Sequence, residues 1–324
     1  MPQTHLAAWP YTNFGAAGAV VDKSRLDDLD TTLVRFANGV RLTVKSTKYR
    51  AQQILIAVTL AGGRRSLPKD RSLLNTSAYI GGGLEAMDSF DLRRVLSSKI
   101  YNVGFGIDDD SFSLSGSTRP EDLDTQLQVL AAYVTAPGWR TEAFAQGIAA
   151  MTNNLAQRDT SPMALFGAKL PSLLRNGDAR WTAPESADLQ KARLEDVRSA
   201  IDPALKHAPI EIAIVGDIDE NKVIAEVAKT FGALPERKPA STWFRSTQPV
   251  VFRKDRTPIV LTHNGEANQA IASIYWPVDI DPEANPDKAE ALGVLGAIMR
   301  LKVTDEIREN LGATYSPSAG ASLS

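Results

Sequence analysis

The chain has only three imidazoles, His5, His207 and His263, and they stand far apart in sequence. No H-x-x-E-H or H-E-x-x-H pair occurs, so no helix face carries two imidazoles one turn apart toward a single ion. Cysteine is absent, which removes thiolate zinc sites, disulfides and thiol nucleophiles. No G-x-S-x-G elbow singles out a serine. The expectation is a chain with no metal-binding residues of its own. Gly81-Gly82-Gly83 has the look of a phosphate cradle, but no Lys-Ser/Thr pair follows. Glu85 would also repel a phosphate there, so a turn between helices is the preferred reading. Asp108-Asp109-Asp110 lacks the ligand spacing of a calcium loop and reads as a solvated hairpin tip. Asp217 and Asp219 sit where a strand turns into a helix, and they read as helix caps.

The stretch over residues 306–316 carries the most chemistry. At 100° per residue, Arg308 falls about 160° from Leu292, opposite the apolar stripe of the helix that ends there. Gly312 is placed to stop that helix. Tyr315 opens the next segment, read as a strand. A helix-end guanidinium and a phenol can then converge on one surface point, offering a cation and an O–H donor to a peptide carbonyl or an oxyanion. Taken alone, a helix-terminal Arg is more often solvated and a strand Tyr more often packed.

The elements that would position these groups can be read from periodicity. Asn38-Gly39 separates strand-like residues 33–36 and 40–44, a strong hairpin signal. Residues 54–60 form an apolar strand. Residues 73–80 read as helix, and Asp88/Ser89 caps another through Leu96. Residues 101–117 alternate as a hairpin. Thr118-Arg119-Pro120-Glu121 has a capping-box shape before a helix burying Leu123, Leu127, Leu130 and Val134. Residues 141–174 are mostly helical, with a break near Ser161-Pro162. A helix over 189–201, a strand over 210–215 and a helix with Val223, Val227 and Phe231 on one face follow. Residues 234–239 are a charged, proline-bounded linker, taken as the domain boundary. Beyond it, residues 250–252, 259–262 and 270–276 read as strands. Leu292, Leu295, Met299, Val303 and Ile307 form one helix stripe. The order repeats the opening of the first unit, so a weak internal duplication is expected.

Net charge is −2 and hydrophobic residues are 43% of the chain. That balance suits a soluble globular protein and excludes a strongly basic nucleic-acid platform. No run of about eighteen apolar residues marks a membrane span. No signal peptide is visible, which leaves the compartment open: periplasm if a longer parent carries one, otherwise cytoplasm.

Residues 306–315, E-I-R-E-N-L-G-A-T-Y, resemble the R-E-x-L-G-x-x-Y signature of the pitrilysin/insulin-degrading/mitochondrial-processing family of zinc peptidases, the inverted zincins. Residues 36–41, F-A-N-G-V-R, look like the A-N-G strand opening of that family's repeat. Residues 210–232 are similar to its strand, G-D turn, helix and F-G ending. The resemblance implies two halves, each of two α/β domains, closing like a clamshell on a peptide. It implies zinc held by H-x-x-E-H and a downstream Glu in the first half, with Arg and Tyr supplied by the second. Residues 79–85 read Y-I-G-G-G-L-E where H-x-x-E-H would lie. The chain therefore looks like the metal-free C-terminal half, and a truncated one.

The resemblance thus implies an α+β fold: a mitochondrial-processing-peptidase-like domain of mostly antiparallel sheet with helices on one side, then part of a second. The expected division is a lead-in over 1–30, a complete non-catalytic domain over 31–238, and the first part of a second domain over 239–324. Arg308 and Tyr315 would orient substrate and oxyanion, without Glu85 as a base. Zinc would sit in the parent enzyme, on the half not present here. The implied partners are a peptide substrate and the N-terminal catalytic half of the same protein, with no nucleic acid and no membrane. Homo-oligomerisation stays open. The implied function is the substrate-binding half of a metalloendopeptidase acting on peptides or small unfolded proteins in a closed chamber. The fragment alone would be inactive. The alternative is a non-catalytic scaffold subunit homologous to the peptidase.

Overall fold

The computed structural model describes residues 8–70, 72–243, 249–312 and 314–323. They form two compact units, Met1–Ile271 and Ala272–Ser324.

The first unit is built on a seven-stranded sheet. Its strands are β1 (Val20–Leu26), β2 (Thr31–Phe36), β3 (Arg41–Ser46), β4 (Ile54–Ala61), β5 (Gly104–Ile107), β6 (Ser111–Thr118) and β7 (Ile210–Gly216), in the spatial order β1-β2-β3-β7-β4-β6-β5. All neighbours are antiparallel except β3 and β7. The helices are α1 (Ser77–Gly81), α2 (Ser89–Val95), α3 (Leu123–Thr135), α4 (Thr141–Arg158), α5 (Pro162–Leu174), α6 (Ser186–Lys191), α7 (Leu194–His207), α8 (Glu220–Lys229) and α9 (Ala240–Trp243).

The strand pattern explains the layering. Val34, Phe36, Leu42, Val44, Ile56, Val58, Leu114, Ile212 and Ile214 alternate onto one buried face. Against that face lie Leu127 and Leu130 of α3, Val197 and Ile201 of α7, and Val223 and Val227 of α8. Each fully buried aliphatic chain contributes about 1.5–3 kcal/mol. The other face mixes small residues such as Ala57, Ala213 and Ser113 with charged Arg41 and Glu211 and the exposed Leu55. This is the mixed, mostly antiparallel architecture expected.

Asn38-Gly39 makes the β2–β3 turn, with Gly39 at φ 89°. Asn38 Nδ2 donates to Phe231 O at 2.9 Å and Leu234 O at 3.0 Å, tying that turn to the end of α8. Asp88 caps α2 through the Phe90 and Asp91 amides, and Asp219 caps α8 through the Lys222 amide.

Several expectations need correction. The lead-in is not wholly irregular: residues 20–26 pair with β2. Upstream of that strand, Trp9 and Tyr11 dock on the core, and Trp9 Nε1 donates to Gln128 Oε1 at 2.8 Å. Thr118 is no helix cap. It ends β6, and its hydroxyl donates to Ile100 O at 2.6 Å, so α3 begins only at Leu123. Residues 234–239 are not a loose linker. Arg237 is buried, its N–H donates to Asn38 O at 2.8 Å, and its guanidinium donates to Leu205 O at 2.6 Å near the α7 C-terminus. Burial lowers that guanidinium's pKa to about 10. The following segment stays on the first unit through the Arg253 N–H to Leu174 O and the Asn264 N–H to Asp159 O.

Residues 250–252, 259–262 and 270–276 form no ladder among the described residues. Their apolar alternation fits a strand, but a strand exists only with a hydrogen-bonded neighbour.

The second unit centres on α10 (Pro286–Val303), continued by a π-helical stretch, Thr304–Asn310. Gly296 packs on the main chain at Gly320–Ala321. Val294, Leu295, Ile298 and Leu301 are exposed. Tyr315 sits in a bend, and residues 316–323 pair in no sheet among the described residues, where a strand was expected.

Candidate functional site

The second unit brings Arg308 and Tyr315 together. The guanidinium carbon of Arg308 lies 4.8 Å from the Tyr315 ring centroid, within cation–π range. Two local features create the meeting. From Thr304 the helix winds with i→i−5 bonds, and the Leu311 N–H donates to Glu306 O at 3.0 Å. Gly312 then takes φ 58°, the left-handed stop expected of it. The π-winding means that the 100° phase assumed for Arg308 does not hold past Val303.

Both groups face solvent, and Tyr315 is 81% exposed. Arg308 Nε also pairs with Glu309 at 3.3 Å, so a carboxylate balances one edge of the guanidinium while its face meets the ring. The arrangement presents a fixed planar cation beside a phenol O–H, suited to a polarised carbonyl oxygen.

The other sequence candidates resolve differently. In the glycine turn the amides are spent: the Gly82 N–H donates to Ala78 O, Gly83 to Ile80 O and Leu84 to Met87 O. No amide is left to cradle a phosphate. A Cβ on Gly82 would lie 2.2 Å from Gly138 O, so the turn is a close helix–loop crossing. Arg140 locks it by donating to the carbonyls of Gly82, Leu84 and Glu85. The Glu85 side chain is exposed.

At the helix where a metal pair would stand, Tyr79 is fully buried and its hydroxyl donates to Tyr133 O at 2.7 Å. Its ring centroid lies 4.7 Å from Phe105 and 5.3 Å from Trp139. Burial, with Tyr133 and Asp202 nearby, pushes its pKa well up. This is an aromatic plug.

His263 is engaged through both ring nitrogens, with the Gly265 N–H at 3.1 Å and Gln269 O at 3.0 Å. His207 ends α7, and His5 lies outside the described residues. Among the described residues, no group of three or more His, Cys, Asp or Glu stands close enough to hold a metal ion.

The acidic hairpin tip is not free. Asp109 holds Arg175 at 3.0 Å and accepts from Trp181 Nε1 at 2.8 Å, while Asp110 pairs with Arg65 at 2.9 Å. Arg175 and Arg180 both lie under 5 Å from the Trp181 ring, at 4.8 and 4.9 Å. Asp217 accepts from the Gln52 N–H at 3.0 Å and so serves the β3–β4 turn, leaving the α8 cap to Asp219.

Asp122 is a group that sequence patterning misses. It is 2% exposed and pairs with Arg119 at 2.7 Å and Lys99 at 3.0 Å. Only the closing of the Ile100 segment over α3 reveals it, through the Ile100 N–H at 3.0 Å.

Residues 191–324 match the family model of the peptidase M16 inactive domain. Comparison with curated proteins finds no match. Among solved structures, the periplasmic protease PqqL from Escherichia coli superposes with a TM-score of 0.73 at 18% identity, over 99% of this chain and 36% of that one. The ferredoxin protease FusC, solved as a point mutant in complex with Arabidopsis ferredoxin, gives 0.61 at 17% identity over 74% and 27%. A peptidase M16 inactive domain from Pseudomonas fluorescens gives 0.55 at 18% identity over 65% and 52%. The chain thus spans about a quarter to a half of the length of these structures. Among the described residues, no helix is long and apolar enough to cross a membrane.

Proposed function

We propose, from the match of residues 191–324 to the peptidase M16 inactive domain, that this chain is the substrate-binding, metal-free half of a zinc-dependent endopeptidase. The substrates are peptides or small unfolded proteins, enclosed when this half meets a catalytic half. The observation that carries the reading is the Arg308–Tyr315 pair, accessible and held at 4.8 Å.

Zinc would supply polarised water on the catalytic half; the described residues here do not fit it. What this chain contributes is orientation. The Tyr315 hydroxyl donates to the scissile carbonyl oxygen as that oxygen gains charge, worth about 2.7–4 kcal/mol for one such donor. Arg308 grips the adjacent peptide backbone. Closure of the halves excludes bulk water and strengthens both interactions.

On the same reading, residues 239–324 belong to a second peptidase-like domain. The exposed aliphatic chains Val294, Leu295, Ile298 and Leu301 fall on one face of α10, within about 120° at 100° per residue, and support this, since an apolar stripe of that width belongs against an interior.

The test is the protein in which this chain is joined to a catalytic half, assayed for zinc content and peptide cleavage. Tyr315→Phe should cut kcat by about 10²–10³ with the melting temperature unchanged. A parent without zinc and without cleavage would instead be the scaffold subunit.

A further inference from the structure

The chain holds three Asn-Gly pairs, Asn38-Gly39, Asn176-Gly177 and Asn264-Gly265. In such a pair the glycine nitrogen can attack the asparagine side-chain carbonyl and close a cyclic imide, because no Cβ blocks the approach. The glycine N–H must give up its proton for this to happen. The three sites differ in what receives that N–H.

The Gly39 N–H donates to Phe36 O at 2.9 Å, and the Asn38 amide is fixed on Phe231 O and Leu234 O. The Gly177 N–H donates to Ser172 O at 2.9 Å. A carbonyl oxygen accepts the bond but is too weak a base to take the proton. The Gly265 N–H donates instead to His263 Nδ1 at 3.1 Å. The same imidazole reaches Gln269 O at 3.0 Å through Nε2. A carbonyl oxygen can only accept, so Nε2 carries the ring proton and Nδ1 presents its lone pair. Glycine is required at this turn, since a Cβ on residue 265 would run into Thr160 O. The Asn264 N–H is held by Asp159 O at 2.7 Å. Asn264 is exposed, and its side chain has no hydrogen-bond partner among the described residues, so it is free to swing toward the Gly265 nitrogen.

We propose that His263 is a built-in base that makes Asn264 a self-modifying site. Nδ1 takes the Gly265 amide proton as that nitrogen bonds to Asn264 Cγ, and their 3.1 Å contact is within the reach a general base needs. The Cγ–Nδ2 bond then breaks, and the imidazolium returns the proton so that ammonia leaves. Water adds to either imide carbonyl and opens the ring, leaving aspartate or isoaspartate at position 264. Either product adds a negative charge. Isoaspartate also adds a methylene to the main chain beside the bond from the Asn264 N–H to Asp159 O. That bond ties the segment to the residue that caps α4, so the modification loosens it. The reaction needs neither zinc nor peptide, and it holds whatever the parent enzyme cleaves.

The experiment incubates the 324-residue chain at neutral pH and follows all three asparagines by peptide mass spectrometry. A positioned base contributes about 10²–10⁴-fold, so Asn264 should react at least about tenfold faster than Asn176, with Asn38 slowest. His263→Gln should bring Asn264 down to the rate of Asn176. In His263→Ala, free imidazole should restore the reaction at Asn264 selectively over Asn176, which a purely structural role for His263 would not allow. In urea the three wild-type sites should react at comparable rates. Hydrogen exchange of the residue 264 amide should speed up in the isoaspartate form. Any of five results overturns the proposal: Asn264 no faster than Asn176, an undiminished rate in His263→Gln, no selective rescue by imidazole, a preference for Asn264 that survives in urea, or exchange at residue 264 that the modification leaves unchanged.

Discussion

The Arg308 guanidinium lies over the Tyr315 ring at 4.8 Å while its Nε pairs with Glu309 at 3.3 Å. An exposed cation–π contact is worth only about 0.5–1 kcal/mol. Arg308→Ala should therefore shift chemical denaturation by about 1 kcal/mol at most. In the zinc-bearing parent it should lower kcat/KM far more. Arg308→Lys keeps the charge but loses the planar fork, so it should recover stability without recovering activity.

The π-helical winding sets where Arg308 points. Deleting Asp305 lets the segment return to i→i−4 bonds and turns Arg308 by about 100°. The expected phenotype matches Arg308→Ala in activity assays, while urea melts of the first unit stay as they are.

Asp122 governs acid sensitivity. Burial alone would raise its pKa, but the Ile100 N–H, Lys99 and Arg119 outweigh burial and hold it down at about 2, from an ordinary 3.8. A carboxyl depressed in the folded state contributes stability that is complete above 3.8 and lost as pH falls to about 2. The shift corresponds to about 2 kcal/mol. Urea melts at about pH 5 and about pH 2 should show that loss, and Asp122→Asn should lack it while being weaker at the higher pH.

Two glycines should respond oppositely to alanine. At Gly82 the new Cβ would lie 2.2 Å from Gly138 O, and overpacking of that kind costs about 1–3 kcal/mol. At Gly167, inside α5, nothing lies within 4 Å, and alanine should stabilise by about 0.4–1 kcal/mol. Denaturation midpoints of the two variants check both signs.

Much of the first unit is legible in the sequence because its signals are local. Asn38-Gly39, the Asp88 and Asp219 caps and the alternation of residues 54–60 and 210–215 need only their neighbours to be read. What fails depends on partners. Thr118 has the form of a cap, yet tertiary contact assigns its hydroxyl to Ile100. Residues 234–239 look like a solvated linker, yet Arg237 is needed at the end of α7. Residues 250–276 have strand periodicity but no neighbour to bond among the described residues. For the candidate site, the seven-residue spacing between Arg308 and Tyr315, with Gly312 between, suffices to suggest their meeting. The helix phase does not, because a π-turn leaves no clear mark in residue types.

The strand order carries a consequence for how the molecule comes into being. β1-β2-β3 and β4-β6-β5 are each three-stranded sheets, and only β7 joins them. That strand is residues 210–216, so a nascent chain must emerge past Gly216 before Val44 and Ile56 gain their shared neighbour Ile214. Until then two bare inner edges wait side by side. Folding should be slow and dominated by this late insertion, with interrupted synthesis yielding sticky, protease-sensitive products.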